Sequence, residues 1–110
     1  MAEAIIPEGA EAKVTVCGNG GWKVETLARL DTGAKTSSMD THLMELLRLE
    51  PIDGVVVKSA MGKEVRAVVE GEIIYDGQPI VCRFTVTDRG SLTHPLMLGR
   101  NVLFGEDTDA

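Results

Sequence analysis

Aromatic side chains are scarce in this 110-residue chain: two Phe, one Tyr and one Trp, 4% in all. Its core must therefore be built from Val, Leu, Ile, Met and Ala. Cysteine is just as rare. Cys17 and Cys82 are too few for a disulfide framework and read as reduced core thiols, which makes the cytoplasm the expected compartment. Long apolar runs are missing too, four residues being the longest (Pro95-Leu96-Met97-Leu98, for instance), so no helix is expected to span a bilayer. The opening Met1-Ala2-Glu3-Ala4-Ile5-Ile6-Pro7-Glu8 has acids where a secretory leader needs Lys or Arg. Positive charge is in deficit: 11 Lys and Arg stand against 17 Asp and Glu, a formal net charge of −6. With no basic patch to offset it, that balance argues against nucleic acid and against an anionic membrane as partners.

What remains is ordinary globular material, 44% hydrophobic and 25% charged. The expectation is one domain over residues 1–110, with its core in about 12–104. The tail Glu106–Ala110 is expected to fray. Turn signals recur every eight to twelve residues or so, which is the spacing of an all-β sandwich or barrel. Ala12–Cys17 alternates like a strand, and Gly18-Asn19-Gly20-Gly21 turns it back into Trp22–Leu30. Tyr75-Asp76-Gly77-Gln78 has the Asp-Gly centre of a type I′ hairpin, and Cys82, Phe84 and Val86 then alternate with Arg83, Thr85 and Thr87. Val55–Ser59 and Glu64–Ile74 flank Ala60-Met61-Gly62-Lys63, a second hairpin with Gly62 at its tip. On its longer arm Val65, Ala67, Val69 and Ile73 share one face, and Glu64, Arg66, Glu70 and Glu72 the other. Only Asp40–Arg48 reads as a helix, with Asp40 as N-cap and Leu43, Leu46 and Leu47 on one side, the alternative there being a strand followed by a loop. Trp22 is assigned to the core.

Two segments carry chemistry. In Leu27-Ala28-Arg29-Leu30-Asp31-Thr32-Gly33-Ala34 a carboxylate follows directly on an apolar strand, a stiff support for an acid group, and Gly33 lets the backbone turn where a Cβ would crowd it. In His94-Pro95-Leu96-Met97-Leu98-Gly99-Arg100-Asn101-Val102-Leu103 an apolar strand crosses into a short helix, and Gly99 suits a point where another segment passes close over the backbone.

Taken together, apolar-apolar-Asp-Thr-Gly-Ala, a Gly-tipped hairpin and then aliphatic-Gly-Arg-Asn resemble the retropepsins, the single-lobe aspartic peptidases. More narrowly, Leu30–Ser38 with Thr87-Asp88-Arg89 and His94–Arg100 resembles the bacterial and archaeal retropepsin-like family often labelled "ATP-dependent zinc protease". The resemblance implies an all-β fold, a closed six-stranded barrel with a flap hairpin and at most one short helix. It also implies a homodimeric aspartic endopeptidase. The chain has a single Asp-Thr-Gly, so each subunit would bring one Asp31 to a common two-fold axis. Two carboxylates that close share one proton, and the ionised member activates a water against a peptide carbonyl.

By the same resemblance Thr32 braces the pair across the dimer, Gly33 offers its carbonyl to substrate, and Ala34 completes the loop. Gly99 and Arg100 support that loop from beneath and beside. Ala60, Met61, Gly62 and Lys63 form the flap, with Val56, Val65 and Val69 walling apolar subsites. The chain ends, Met1–Glu8 and Asn101–Ala110, are implied at the subunit interface. One residue departs from the retroviral pattern. The position after Asp-Thr-Gly-Ala is acidic there and is Lys35 here, a side chain that cannot accept a hydrogen bond. Arg100 then needs another acid, Asp88 or Asp40, and Lys35 suits a carbonyl or carboxylate of the substrate. This departure keeps a second function open, a peptide-binding or regulatory module with weak or no catalysis. No cofactor is expected. There is no phosphate-binding Gly-x-x-x-x-Gly-Lys-Ser/Thr loop and no His-Glu-x-x-His. Cys17, His42, Cys82 and His94 lack the close-spaced pairs of a structural zinc site.

Overall fold

A computed structural model describes residues 10–60, 62–88 and 94–105, and only the backbone of Ser59. Met61, Arg89, the opening Met1–Glu8 and the tail Glu106–Ala110 lie outside the described residues. The alternation in the first third folds as it reads. Strand β1 (Glu11–Cys17) buries Val14 and Val16 and pairs antiparallel with β2 (Lys23–Leu30), from Glu11↔Arg29 to Cys17↔Lys23. The turn between them holds one 3-10 turn at Asn19–Gly21. Then come β3 (Ser37–Asp40), α1 (Thr41–Leu46), β4 (Asp53–Ser59), β5 (Gly62–Tyr75), β6 (Gln78–Thr87), β7 (Leu96–Leu98) and α2 (Arg100–Leu103).

The sheet runs β1-β2-β7-β3-β6-β5-β4 and closes through β1 and β5, at Thr15↔Ile74, Val16↔Ile73 and Cys17↔Glu72. Six strands thus make a barrel, and β4 is an extra strand outside it. The all-β expectation is met; α2 adds one helical turn to the single short helix foreseen. Closure follows from the sequence of β5. Its residues up to Val68 pair with β4, and from Val68 onward they pair with β6, so one long strand serves first the hairpin arm and then the barrel. The interior is aliphatic around one ring: Phe84, Met39, Leu47, Ile73, Leu96 and Leu98 are among its fully buried side chains. The Asp-Gly hairpin is a type I′ turn, with φ of 51° at Asp76 and 75° at Gly77 and Tyr75 paired with Gln78.

Three assignments of apolar side chains are corrected. Trp22 is 48% exposed, because it stands at the tip of the β1–β2 hairpin, beyond the barrel wall. Leu46 is 62% exposed while Leu43 and Leu47 are buried, since the six-residue α1 offers the barrel only a narrow stripe. Val69 is wholly buried in the barrel, so it walls no subsite on the hairpin arm.

The end of α1 yields a prediction. Leu49 N–H donates to Met44 O and Arg48 N–H to Glu45 O, a Schellman ending that puts Arg48 at φ 56°, where glycine is preferred. Its guanidinium lies 5.1 Å from the centroid of the Trp22 ring. Arg48→Ala keeps the strained backbone and loses the stacking, a loss of about 0.5–1 kcal/mol. Arg48→Gly relieves the strain, so urea midpoints are expected to rank Gly above Ala, the reverse of helix-interior order.

Candidate active site

Asp31 is the first residue after β2, and four hydrogen bonds hold it, the residue before it and the turn that follows. Its N–H donates to Leu98 O on β7 at 2.9 Å, its carbonyl accepts Ala34 N–H at 3.2 Å, and its Oδ1 accepts Gly33 N–H at 2.9 Å. Leu30 N–H, one residue earlier, donates to Ala10 O at 2.8 Å. The side-chain bond makes an Asx turn that fixes one carboxylate oxygen and leaves Oδ2 to other work. Asp31 is half-buried; Thr32 and Gly33 are exposed beside it.

The loop 31–36 joins β2 to β3, yet these strands are not neighbours. Strand β7 lies between them, parallel to β2 at Arg29↔Met97 and antiparallel to β3 at Met39↔Leu96. The chain leaving β7 must therefore pass directly under the loop. It does so at Gly99, where a Cβ would stand 2.4 Å from Thr36 O and 2.7 Å from Ala34 O. Helix α2 then turns its first N–H groups up to the loop: Arg100 N–H donates to Ala34 O at 2.8 Å, and Asn101 N–H to Lys35 O at 3.3 Å. Asp31, Thr32, Gly33, Ala34, Lys35, Gly99 and Arg100 are thus one contiguous unit.

The second hairpin is built by β4 and β5, whose register runs from Asp53↔Val68 to Ser59↔Gly62. Gly62 has φ 115°, a value only glycine adopts without strain, and Ala60 and Lys63 are exposed beside it. Val56 and Val65 pair across the arm and are 62% and 75% exposed, an apolar face with no barrel beneath it. Of the two acids proposed for Arg100, Asp40 caps α1: its Oδ2 accepts His42 N–H at 3.0 Å and lies 3.2 Å from His42 Nδ1. Asp88 follows β6 and is exposed. Lys35 is exposed on the loop.

The remaining candidate groups are dispersed. His94 sits before β7 with Nε2 against Glu11 Oε2, and both cysteines are free. Burial, and secondly the charge of Glu70, pushes the Cys82 thiol up to about 12, so it stays protonated and unreactive at neutral pH. Among the described residues no group of three or more His, Cys, Asp and Glu is placed to hold a metal ion. A surface cavity of about 320 Å³, walled in part by Cys17, Glu70, Glu72 and Val81, includes no residue of the loop. Among the described residues no helix is long and apolar enough to cross a membrane. Sequence reasoning missed two residues under the loop, Ser37 and Asn101. They stand 64 positions apart, and no local pattern links them.

No protein-family model and no curated protein matches the chain. Solved structures do. The EIAV protease complexed with the inhibitor HBY-793 is similar at a TM-score of 0.67 and 21% identity, over 99% of this chain and 100% of that one. The simian foamy virus protease gives 0.63 and 14%, over 84% of this chain and 89% of that one. The retroviral protease-like domain of Ddi1 from Leishmania major gives 0.55 and 20%, over 87% and 75%. The fold is retropepsin-like.

Proposed function

We propose that this chain is half of an aspartic endopeptidase, a homodimer in which the Asp31 carboxylates of two subunits activate a water against a peptide bond. The observation that carries the reading is the seating of Asp31. A carboxylate with one oxygen fixed by its own turn stands at the end of a barrel strand, beside exposed Thr32 and Gly33, in a fold it shares with retroviral proteases.

The chemistry then follows from pairing. One Asp31 is a base without an acid, and a two-fold axis supplies the second carboxylate at no cost in sequence. Like charges in contact share one proton. The ionised partner takes a proton from water as the oxygen attacks the carbonyl carbon, and the protonated partner donates to the carbonyl oxygen. On collapse the proton taken from water passes to the leaving nitrogen, the C–N bond breaks, and a hydroxyl proton of the intermediate returns to the other carboxylate. Thr32 braces the pair, and the carbonyl of Gly33 receives substrate N–H groups. The β4–β5 hairpin, with Ala60, Gly62 and Lys63 at its tip and Val56 and Val65 on its face, closes over an extended peptide and excludes water.

Lys35 sets the chain apart from the viral enzymes by offering donors where they offer an acceptor. By its motifs the chain resembles the bacterial and archaeal family labelled for zinc and ATP. Its described residues bring together no group of three or more His, Cys, Asp or Glu that could hold a metal ion. The free thiols favour a cytoplasmic setting.

Dimerisation is the cheapest test. Two chains of −6 repel at long range, so association is expected to strengthen from low to moderate salt, with dimer dominant at high micromolar concentration. Sedimentation velocity reads this directly. Monomer alone under those conditions would count decisively against the paired-carboxylate mechanism.

A further inference from the structure

A line of side-chain hydrogen bonds runs beneath the loop, and no step of the proposed reaction uses it. Ser37, wholly buried at the start of β3, accepts Gly99 N–H on its Oγ at 2.9 Å and donates to Asn101 Oδ1 at 2.6 Å. Asn101 Nδ2 in turn donates to Arg83 O on β6 at 3.1 Å. Thr85 Oγ1, on the same strand, lies 3.4 Å from Ser37 O as a donor. The direction of each bond is forced. A backbone N–H can only donate and a carbonyl can only accept, so Gly99 and Arg83 fix the two ends. Ser37 must then accept from one side and give its proton to the other.

We infer that Ser37 and Asn101 form a positioning pair for Asp31, a reading that rests on the peptidase function proposed above. The argument is mechanical. Gly99 and α2 form the bed of the loop: Gly99 lies against the carbonyls of Ala34 and Thr36, while Arg100 and Asn101 bond Ala34 O and Lys35 O. Ser37 ties that bed to β3 at the loop's far end, and Asn101 ties it to β6. The near end is already anchored, through Asp31 N–H on Leu98 O. With both ends held, the loop has one height above the barrel, and so has the carboxylate that it presents to a partner subunit. If the Ser37 hydroxyl is removed, Gly99 N–H loses its acceptor and Asn101 its donor, and the bed shifts relative to β3. The barrel need not open for this to happen. Misplacement of reacting groups by about 1 Å is enough to cost about a hundredfold in rate.

The experiment compares Ser37→Ala, Asn101→Ala, the double variant and Ser37→Thr on a peptide that the wild type cleaves, separating kcat from KM. Each single alanine variant is expected to lower kcat by about 10- to 100-fold with KM within about threefold. The double variant is expected to fall no further than the worse single, because the pair acts as one unit. Ser37→Thr restores the hydroxyl and most of kcat. Lowered melting temperatures with kcat at the wild-type value would overturn the inference, as would additive losses. Should Ser37→Ala fail to fold, Asn101→Ala at its half-buried site carries the test. Should the wild type cleave nothing, the peptidase reading fails by itself, and amide exchange decides the clamp. Faster exchange at Gly99, Arg100 and Asn101 in Ser37→Ala, reversed in Ser37→Thr, supports it. Unchanged exchange overturns it.

Discussion

Asp31→Asn is expected to leave the fold and the dimer standing and to lower kcat/KM by about a thousandfold or more, the upper range of what acid–base catalysis contributes. The substitution is conservative where structure is concerned. The amide oxygen of Asn accepts Gly33 N–H as Oδ1 does now at 2.9 Å, so the Asx turn survives, and the backbone bonds of residue 31 to Leu98 and Ala34 do not involve the side chain. What the amide cannot do is take a proton from water or share one across the axis. Digestion of a peptide library by wild type and variant between about pH 4 and 7, read by mass spectrometry, is the measurement. Cleavage by both proteins alike would sink the proposal. A statine-type compound, which mimics the tetrahedral intermediate, is expected to bind the wild type far more tightly than an uncleaved peptide does.

The same pair of proteins separates the two functions that the sequence leaves open. A peptide-binding module would bind its ligand equally well with Asp or Asn at position 31 and hydrolyse it with neither. Lys35 is what keeps that module in view, since it removes an acceptor from the place where an extended peptide offers N–H groups. The seating of the carboxylate weighs on the other side. Four hydrogen bonds and a glycine crossing hold residues 30–34 in one arrangement, which is more than a surface turn requires and is what proton transfer at a fixed point demands.

How much of this was legible beforehand depends on how local each signal is. The turn at Asp76-Gly77 and the alternation of β1 and β6 are written in adjacent residues and appear as read. The juxtaposition of Asp-Thr-Gly with Gly-Arg-Asn is of another kind: it was implied by a resemblance, and its reason is topological, β7 being threaded between β2 and β3. Val69 shows where local reading stops. The pattern Val65, Ala67, Val69, Ile73 keeps its period without a break, yet Val65 is 75% exposed and Val69 buried. The difference is made at Val68, where β5 leaves the hairpin and gains β6, a strand that begins some ten residues later. Trp22 fails for a related reason: the apolar face of a strand is buried only as far as the barrel covers it. Ser37 and Asn101 lie within the two segments that carry the resemblance, yet nothing in either segment pairs them, and only the crossing at Gly99 brings them together.

Gly99→Ala is expected to cost about 2–6 kcal/mol, from about 1–3 for overpacking and about 1–3 for buried hydrogen bonds lost. The backbone itself tolerates alanine: φ is −99° and ψ −167°, ordinary extended values, so the loss is steric and not conformational. The new methyl group would stand 2.4 Å from Thr36 O and 2.7 Å from both Ala34 O and Thr36 C. All three are backbone atoms, and no rotamer can relieve them. The loop must lift, and lifting it breaks Arg100 N–H to Ala34 O and Gly99 N–H to Ser37 Oγ together. Stiffening the unfolded chain returns only about 0.4–1 kcal/mol, too little to change the sign. Because small domains rarely have more than about 5–15 kcal/mol to lose, the urea midpoint should drop sharply and cleavage vanish with it. Gly71→Ala is the control, also buried and in β5, since its Cβ would meet nothing nearer than 3.6 Å. A Gly99→Ala protein with the wild-type midpoint would mean that the loop is not seated on β7 at all, and the site would lose its support.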